Sequence, residues 1–125
     1  MSEQQNREAL ESYIRAVERQ DLDSMFEFLH DDYVEEYPQS GERIRGKQNA
    51  RSILDNYPGL PTMVDHSYVL SGDLGVLKMT FEYDGKRVYA CAVVEFEDGK
   101  AMSRRAYFAE PFEAPQWRAQ WVERM

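Results

Sequence analysis

Two Asp-Gly pairs, Asp84-Gly85 and Asp98-Gly99, constrain the fold of this chain more than any other feature of its sequence. An Asp-Gly pair readily adopts the positive φ angles of a type I′ turn, so each pair predicts a tight antiparallel hairpin. The pairs separate three strand-like runs, which are Val76 to Tyr83, Arg87 to Phe96 and Ala101 to Ala109. With a fourth run, Met63 to Leu70, they predict an antiparallel meander in the second half of the chain.

Helical patterns fill the first half. Apolar residues recur with the spacing i, i+3, i+4 and i+7 at Leu10, Tyr13, Ile14 and Val17. This spacing predicts an amphipathic helix from about Asn6 to Gln20. Two further helices are predicted, a short one capped by Asp21 and a third over Lys47 to Tyr57. Between them lies a predicted strand, Tyr33 to Tyr37, which Pro38 ends.

The order of these elements, α-α-β-α-β-β-β-β, predicts an α+β fold with helices on one face of a curled antiparallel sheet. A length of 125 residues suits a single domain, 1–125, with a substantial core. The charged segment before the third helix is predicted to be a solvated loop and carries Glu42, Arg43 and Arg45. In the tail, 111–125, Trp117 and Trp121 share one face of a short helix or turn. They could cap a pocket, contact a partner subunit or lie on the outer helix.

Small residues at the centre of the meander suggest an internal space. Ala90, Ala92 and Ala106 share one side-chain parity if both strands are regular. Large residues dominate the matching face of the neighbouring strand, namely Leu77, Met79, Phe81 and Tyr83. A sheet with a small-residue centre leaves room beneath the helices, and either a ligand or helix side chains fill it.

Composition excludes several classes of partner. The net charge of −8 and the pI near 4.8 disfavour binding to nucleic-acid backbones. No segment has the ~18 apolar residues that a membrane span needs, and the first five residues are polar, so we expect a cytoplasmic protein without a membrane partner. Cys91 is the only cysteine, which rules out an intrachain disulfide, and we expect it to be a small buried apolar residue.

Four short motifs, placed in this order of elements, resemble those of a known family. They are Gln20-Asp21-Leu22-Asp23, Asp31-Asp32, Gly46-Lys47 and Phe81-Glu82-Tyr83-Asp84-Gly85. The chain resembles the nuclear transport factor 2-like superfamily in its SnoaL-like and ketosteroid-isomerase-like branch, up to about Glu110 and in its tail. The resemblance implies a cone-shaped, cystatin-like fold in which a curved sheet wraps a long helix around a mostly apolar pocket. Members include isomerases, cyclases, dehydratases and non-catalytic binding domains, so the fold alone does not settle function.

The same resemblance implies a homodimer packed through the outer face of the sheet. The outer face of the last two strands supports this expectation, because it carries Tyr89, Cys91, Val93 and Tyr107. That is more apolar surface than a monomer usually leaves in water.

Comparison with ketosteroid isomerases disfavours their reaction here. Tyr13 matches the place of their helix-one tyrosine, which is an oxyanion donor. Their general base is an aspartate just before the proline that ends the first strand, and Tyr37 occupies that place. Val94 occupies the place of their second oxyanion donor, a neutral carboxylic acid. A tyrosine with a pKa of about 10 cannot abstract a proton near neutral pH, so we expect no ketosteroid isomerisation.

The candidate catalytic residues are Tyr13, His66 and Glu35. Glu35 shares the inward face with Tyr37 if the first strand is regular, and a bulge would place it on the surface. His66 has the parity of the apolar residues of its strand, and a histidine beside a carboxylate can act as a general acid and base, or be a core or rim residue. The candidate ligand-binding residues are Tyr13, Tyr37, Tyr57, Met79, Phe81, Ala92, Val94, Arg104 and Phe108.

An inward Arg104 needs an anionic partner, either Glu35 or a ligand carboxylate. With two histidines and no second ligand at a suitable spacing from His30, we expect no metal or other cofactor. Three functions remain open. The favoured one is a SnoaL-like domain that binds a small hydrophobic molecule in an internal pocket. The others are a cyclase, dehydratase or isomerase that uses His66 with Glu35 or the tyrosines, and a dimeric interaction module with a filled pocket.

Overall fold

Two helices open the chain in a computed structural model that describes residues 2–125. Helix α1 (Glu3–Arg19) begins where the Ser2 side chain accepts a hydrogen bond from the Gln5 backbone, and it ends at Gln20, whose φ of 56° is left-handed. The remaining elements are α2 (Leu22–Glu27), β1 (Leu29–Tyr37), β2 (Glu42–Arg45), α3 (Lys47–Asp55), β3 (Thr62–Ser71), β4 (Leu74–Tyr83), β5 (Lys86–Glu97), β6 (Lys100–Ala109) and a 3₁₀ turn (Gln116–Trp121).

Both predicted Asp-Gly hairpins are confirmed. Asp84 and Gly85 have φ angles of 52° and 76°, and Asp98 and Gly99 have 54° and 74°. Positive φ at both central residues is the requirement of a type I′ turn. A third hairpin turns at Gly72, with φ of 59°, and joins β3 to β4.

The six strands form one curved, unclosed sheet in the order β2-β1-β6-β5-β4-β3. The α+β class is as predicted, but the sheet is not wholly antiparallel, because β1 pairs parallel to β6. The segment predicted as a charged loop is also different: Glu42–Arg45 is an edge strand paired with β1. The reason is Ile44, which is buried between exposed charged neighbours and anchors the segment to the core.

Side chains of α1 fill the space above the central alanines. Ala92 is buried in a core cluster with Leu10 and Ile14 of α1, and this cluster also contains Ala90 and Ala106. Leu10 Cδ2 lies 3.8 Å from the position that a Cβ would take on Gly75, which pairs with Val94 across the sheet. Helix α1 therefore packs on the small residues of the sheet, and its side chains occupy the space that a central cavity would need.

The outer face of β5 and β6 exposes apolar groups. Tyr89 and Tyr107 are exposed, and Cys91, which was expected to be buried, is half-buried opposite Tyr107. In the tail, Trp117 and Trp121 are 75% and 73% exposed. Within residues 2–125, no helix is both long enough and apolar enough to cross a membrane.

Candidate functional site

A cavity of about 270 Å³ lies between the three helices and the inner face of the sheet. Most of its wall is apolar and comes from every layer of the fold, with Val17 on α1, Leu54 on α3 and Met79 on β4. Three lining residues, Ile53, Tyr57 and Phe108, are 43%, 43% and 40% exposed. These three side chains mark the place where the cavity meets solvent.

One end of the cavity is polar and centres on the carboxylate of Glu35. Tyr33 donates a hydrogen bond to Glu35 Oε1, and Tyr37 donates one to Glu35 Oε2. Arg104 Nη1 lies 3.2 Å from Glu35 Oε1. The Arg104 and Glu35 side chains are only 13% and 10% exposed, so this ion pair is largely removed from bulk water.

Strand geometry explains why these groups meet. Side chains alternate between the two faces of a strand, so Tyr33, Glu35 and Tyr37 all point to the inner face of β1. In the parallel pairing of β1 with β6, Glu35 is the direct partner of Arg104. The register shift in β1 lies before Val34 and leaves this alternation intact.

At neutral pH the surroundings of the cluster favour a charged Glu35 carboxylate, a charged Arg104 guanidinium and neutral tyrosine hydroxyls. Burial raises the pKa of Glu35, but the charge of Arg104 and the hydrogen bonds from the two tyrosines outweigh it, so the net pKa lies below its ordinary value. Burial and the Glu35 charge raise the pKa of Tyr33 and Tyr37. Burial lowers the pKa of Arg104, but the Glu35 carboxylate and the neighbouring tyrosines raise it by more. The net pKa lies above its ordinary value, so the guanidinium stays charged.

Tyr13 supplies a further hydroxyl from the helix side of the cavity. Its ring stacks on Phe28, with centroids 4.4 Å apart and an interplanar angle of 23°. Burial raises its pKa, the Arg104 charge partly opposes this, and among the described residues its hydroxyl has no hydrogen-bond partner. Tyr13 is therefore a neutral donor fixed in the wall by its ring.

Most of the predicted ligand-binding residues line this one cavity. Those that do are Tyr13, Tyr37, Tyr57, Met79, Phe81, Arg104 and Phe108, together with Glu35. Ala92 and Val94 do not, because they lie in the core beneath α1. The space therefore lies away from the alanine-rich centre, against the inner faces of β1 and β6 and the second half of β4.

His66 is not brought to Glu35. It is exposed and lines a separate groove on the sheet with Lys78, Tyr89 and Cys91. Strands β6, β5 and β4 separate β1 from β3, so the two side chains belong to distant parts of the sheet. Parity within β3 could not reveal this distance, because parity specifies a face of a strand and not the position of that strand in the sheet.

Two of the polar contributors to the lining were missed from the sequence. Tyr33 has the same parity as Glu35 and Tyr37, so alternation along β1 was a sufficient signal for it. No pattern in the sequence pointed to Gln20 as a lining residue. Its side-chain amide donates to the carbonyls of Leu60 and Pro61, at 3.3 and 3.1 Å, and all three residues line the cavity.

No group of three or more potential metal-ligating side chains occurs within residues 2–125. His30, the histidine considered for a metal, instead accepts a hydrogen bond from the Asp32 backbone at Nδ1, and its Nε2 lies 3.6 Å from Asp98.

Residues 10–104 of the chain match the SnoaL-like domain family. An NTF-2 like protein of unknown function from Burkholderia xenovorans LB400 is 35% identical, with 98% of this chain and 97% of that chain covered and a TM-score of 0.83. No curated protein matches the chain significantly.

Two other solved structures carry names that refer to an activity. A protein from Kribbella flavida DSM 17836, provisionally named a ketosteroid isomerase, is 22% identical, with 98% of this chain and 90% of that chain covered and a TM-score of 0.89. An LEH-like epoxide hydrolase from M. tuberculosis is 25% identical, with 85% and 84% covered and a TM-score of 0.68. At 22% identity, the similarity to the Kribbella flavida protein shows a shared fold and nothing further.

Proposed function

This chain belongs to the SnoaL-like domain family, and from that premise we propose that it binds a small, mostly apolar molecule in the cavity between its helices and its sheet. The observation that carries the proposal is a mostly apolar wall with a polar cluster at one end, Glu35 with Arg104 and three tyrosines. Ligand sites in proteins commonly combine such a wall with a few polar groups that orient the bound molecule.

The volume of the cavity limits the size of the occupant. The cavity has a volume of about 270 Å³. This is slightly below the usual range for sites of drug-sized ligands, about 300–1,000 Å³. We therefore expect a compact molecule with one or two rings or a short branched chain.

Binding accounts for the cluster better than acid–base catalysis does. Both oxygens of Glu35 already accept hydrogen bonds, and its lowered pKa makes it a weak base. The histidine that would have shared proton transfer, His66, lies outside the cavity. Cyclase, dehydratase or isomerase chemistry would need a stronger base than the described lining provides.

A pair of matched substitutions tests the proposal. Ala50→Leu adds methyl groups to the cavity wall on α3, whereas Ala92→Leu adds the same groups to the filled core under α1. The neutral two-ring fluorophore 1-aminonaphthalene should bind the parent, and fluorescence titration should detect a loss of at least about tenfold in affinity for Ala50→Leu. Ala92→Leu should retain binding while it lowers stability by roughly 1–3 kcal/mol through overpacking.

The parent and the two variants together decide the matter. If the fluorophore does not bind the parent even after any retained small molecule has been extracted, or binds Ala50→Leu as tightly as the parent, the cavity is not a binding site. Native mass spectrometry of the purified protein comes before the titration, because a retained small molecule would block the fluorophore, and its removal by solvent extraction should restore binding.

A further inference from the structure

We propose that the segment between α3 and β3, residues 56–61, is a movable wall of the cavity, and that Gln20 and Tyr83 are the positioning residues that hold it closed. By doing so they set the largest molecule that the cavity accepts. We call this segment the strap. The inference rests on the proposed function and deepens it, because it names the size class of the occupant and the residues that determine that size.

The strap forms part of the cavity wall and reaches its opening. Tyr57, Leu60 and Pro61 line the cavity, and Tyr57 is one of the three side chains at which the cavity meets solvent. The strap belongs to no helix or strand, and its Pro58 and Gly59 are exposed. A molecule that enters beside Tyr57 therefore passes along the strap.

The backbone of the strap makes only local hydrogen bonds among residues 2–125. The Tyr57 amide donates to the Leu54 carbonyl at the end of α3, at 3.3 Å, and the Gly59 amide donates to the Tyr57 carbonyl, at 2.7 Å. Pro58 and Pro61 have no amide hydrogen to donate. Local bonds of this kind persist when a segment moves as a unit, so they do not fix the strap over the cavity.

Two side chains from distant elements do fix it. The Gln20 amide at the end of α1 donates to the carbonyls of Leu60 and Pro61, at 3.3 and 3.1 Å. The Tyr83 hydroxyl at the end of β4 donates to the Pro58 carbonyl, at 2.8 Å. These donors lie 40, 41 and 25 positions from their acceptors, so the bonds tie the strap to α1 and to the sheet.

These attachments can be broken at small cost. All three hydrogen bonds are exposed to solvent, so water replaces the lost partner and no buried polar group is left unpaired. A hydrogen bond of this kind changes an equilibrium by a factor of roughly 2–12. The closed strap is therefore favoured by a modest factor, and a molecule that requires an open strap binds more weakly by that factor.

The size of the closed cavity determines which molecules require opening. At about 270 Å³ it suits a molecule with two fused rings, and a third ring needs the strap to move outward. The strap thus selects for small occupants, and Gln20 and Tyr83 set how strict that selection is.

Fluorescence titration of the extracted, ligand-free protein with two related probes tests this inference. The probes are 1-aminonaphthalene, with two rings, and N-phenyl-1-naphthylamine, which adds a third. The parent should bind the larger probe at least about tenfold more weakly than the smaller one. The double variant Gln20→Met with Tyr83→Phe removes the donors but keeps the side-chain length and the ring beside Tyr57. In this variant the difference should narrow to about threefold or less.

Two controls separate the hydrogen bonds from a general loss of structure. Gln20→Lys keeps an N–H donor on a long side chain and should keep the parental ratio of affinities. Tyr68→Phe removes a hydroxyl that accepts from Arg7, outside the cavity lining, and should keep it too. Should the double variant fail to fold, Tyr83→Phe alone should narrow the ratio at least about twofold.

The outcomes separate the inference from the function on which it rests. Equal affinity of the parent for the two probes would overturn the role of the strap. So would a parental ratio in the folded double variant, or in Tyr83→Phe where that variant is the one tested. A ratio in Gln20→Lys as narrow as in the double variant would also overturn it, because the donor would then be irrelevant. Failure of 1-aminonaphthalene to bind the ligand-free parent would instead overturn the proposed function.

Discussion

Two Glu–Arg pairs lie side by side on β1 and β6 but on opposite faces of the sheet. Glu35 pairs with Arg104 in the cavity, and the next residues, Glu36 and Arg105, pair on the outer face. Glu36 also contacts Arg43 of β2, at 2.7 Å. The chemistry of the two pairs is the same and their positions differ by one residue, so the difference between them is one of environment.

The inner pair is surrounded by low-dielectric material and tyrosine hydroxyls, whereas the outer pair faces water. A buried pair is expensive to break because the remaining charge has no solvent, while an exposed pair loses little since water and salt replace the partner. The inner pair therefore limits which molecules the cavity can hold, whereas the outer pair contributes mainly charge to the surface of the sheet.

Breaking the inner pair should have the largest effect. Glu35→Leu leaves Arg104 charged, buried and unpaired, and removes the acceptor of Tyr33 and Tyr37. We expect a loss of about 3–5 kcal/mol in the free energy of unfolding, measured by urea denaturation. Adding Arg104→Met to this variant should recover at least about 2 kcal/mol, because no unmatched charge then remains. A loss below about 1 kcal/mol for the single variant would mean that water reaches the pair.

The outer face offers a second contrast, since its exposed tyrosines lie on strands whose inner faces form the core. We propose that this face is the interface of a homodimer. Sedimentation should find a dimer at tens of micromolar protein, and Tyr89→Glu with Tyr107→Glu should weaken it by roughly 30-fold or more. A parent that sediments as a monomer at that concentration would contradict the proposal. Gln48→Glu, at an exposed residue of α3 on the helical side of the sheet, is a control for added charge.

Acid should weaken the inner pair by protonating Glu35. The folded pKa of Glu35 lies below its ordinary value of 4.5, so its contribution is fully present above about pH 4.5 and is lost as pH falls through the folded pKa. The stability difference between the parent and Glu35→Gln should therefore be constant near neutral pH and shrink below about pH 4.5. Urea titrations over this range measure it, and a difference that grows in acid would reverse the assigned sign.

Breaking the outer pair should have the smallest effect. Glu36→Gln removes the partner of Arg105 and Arg43, yet both guanidinium groups remain in water. Its urea midpoint should lie close to that of the parent, and the residual difference should vanish near 1 M salt, where the Debye length is about 3 Å. A midpoint shift as large as that of Glu35→Leu would mean that this face is covered, as it would be in a dimer that extends to β1.

Local patterns were sufficient for most of the fold. The Asp-Gly pairs predicted two hairpins, and the heptad-like spacing from Leu10 to Val17 predicted α1 to within three residues at its start and one at its end. Alternation along β1 placed Glu35 and Tyr37 on one face. These features depend on turn chemistry and side-chain periodicity, which operate over a few residues and are therefore legible in one sequence.

The tertiary structure decided which side chains the inner faces of these elements contact. The parallel pairing of β1 with β6 joins Glu35 to Arg104, residues that are 69 positions apart, and no local pattern encodes it. The same long-range order keeps His66 away from Glu35 and lets Leu10 fill the space above Ala92. The sequence by itself determined the elements and their inner faces. Which inner faces share a cavity was decided only when distant strands paired and the helices packed on them, because that choice depends on the whole core at once.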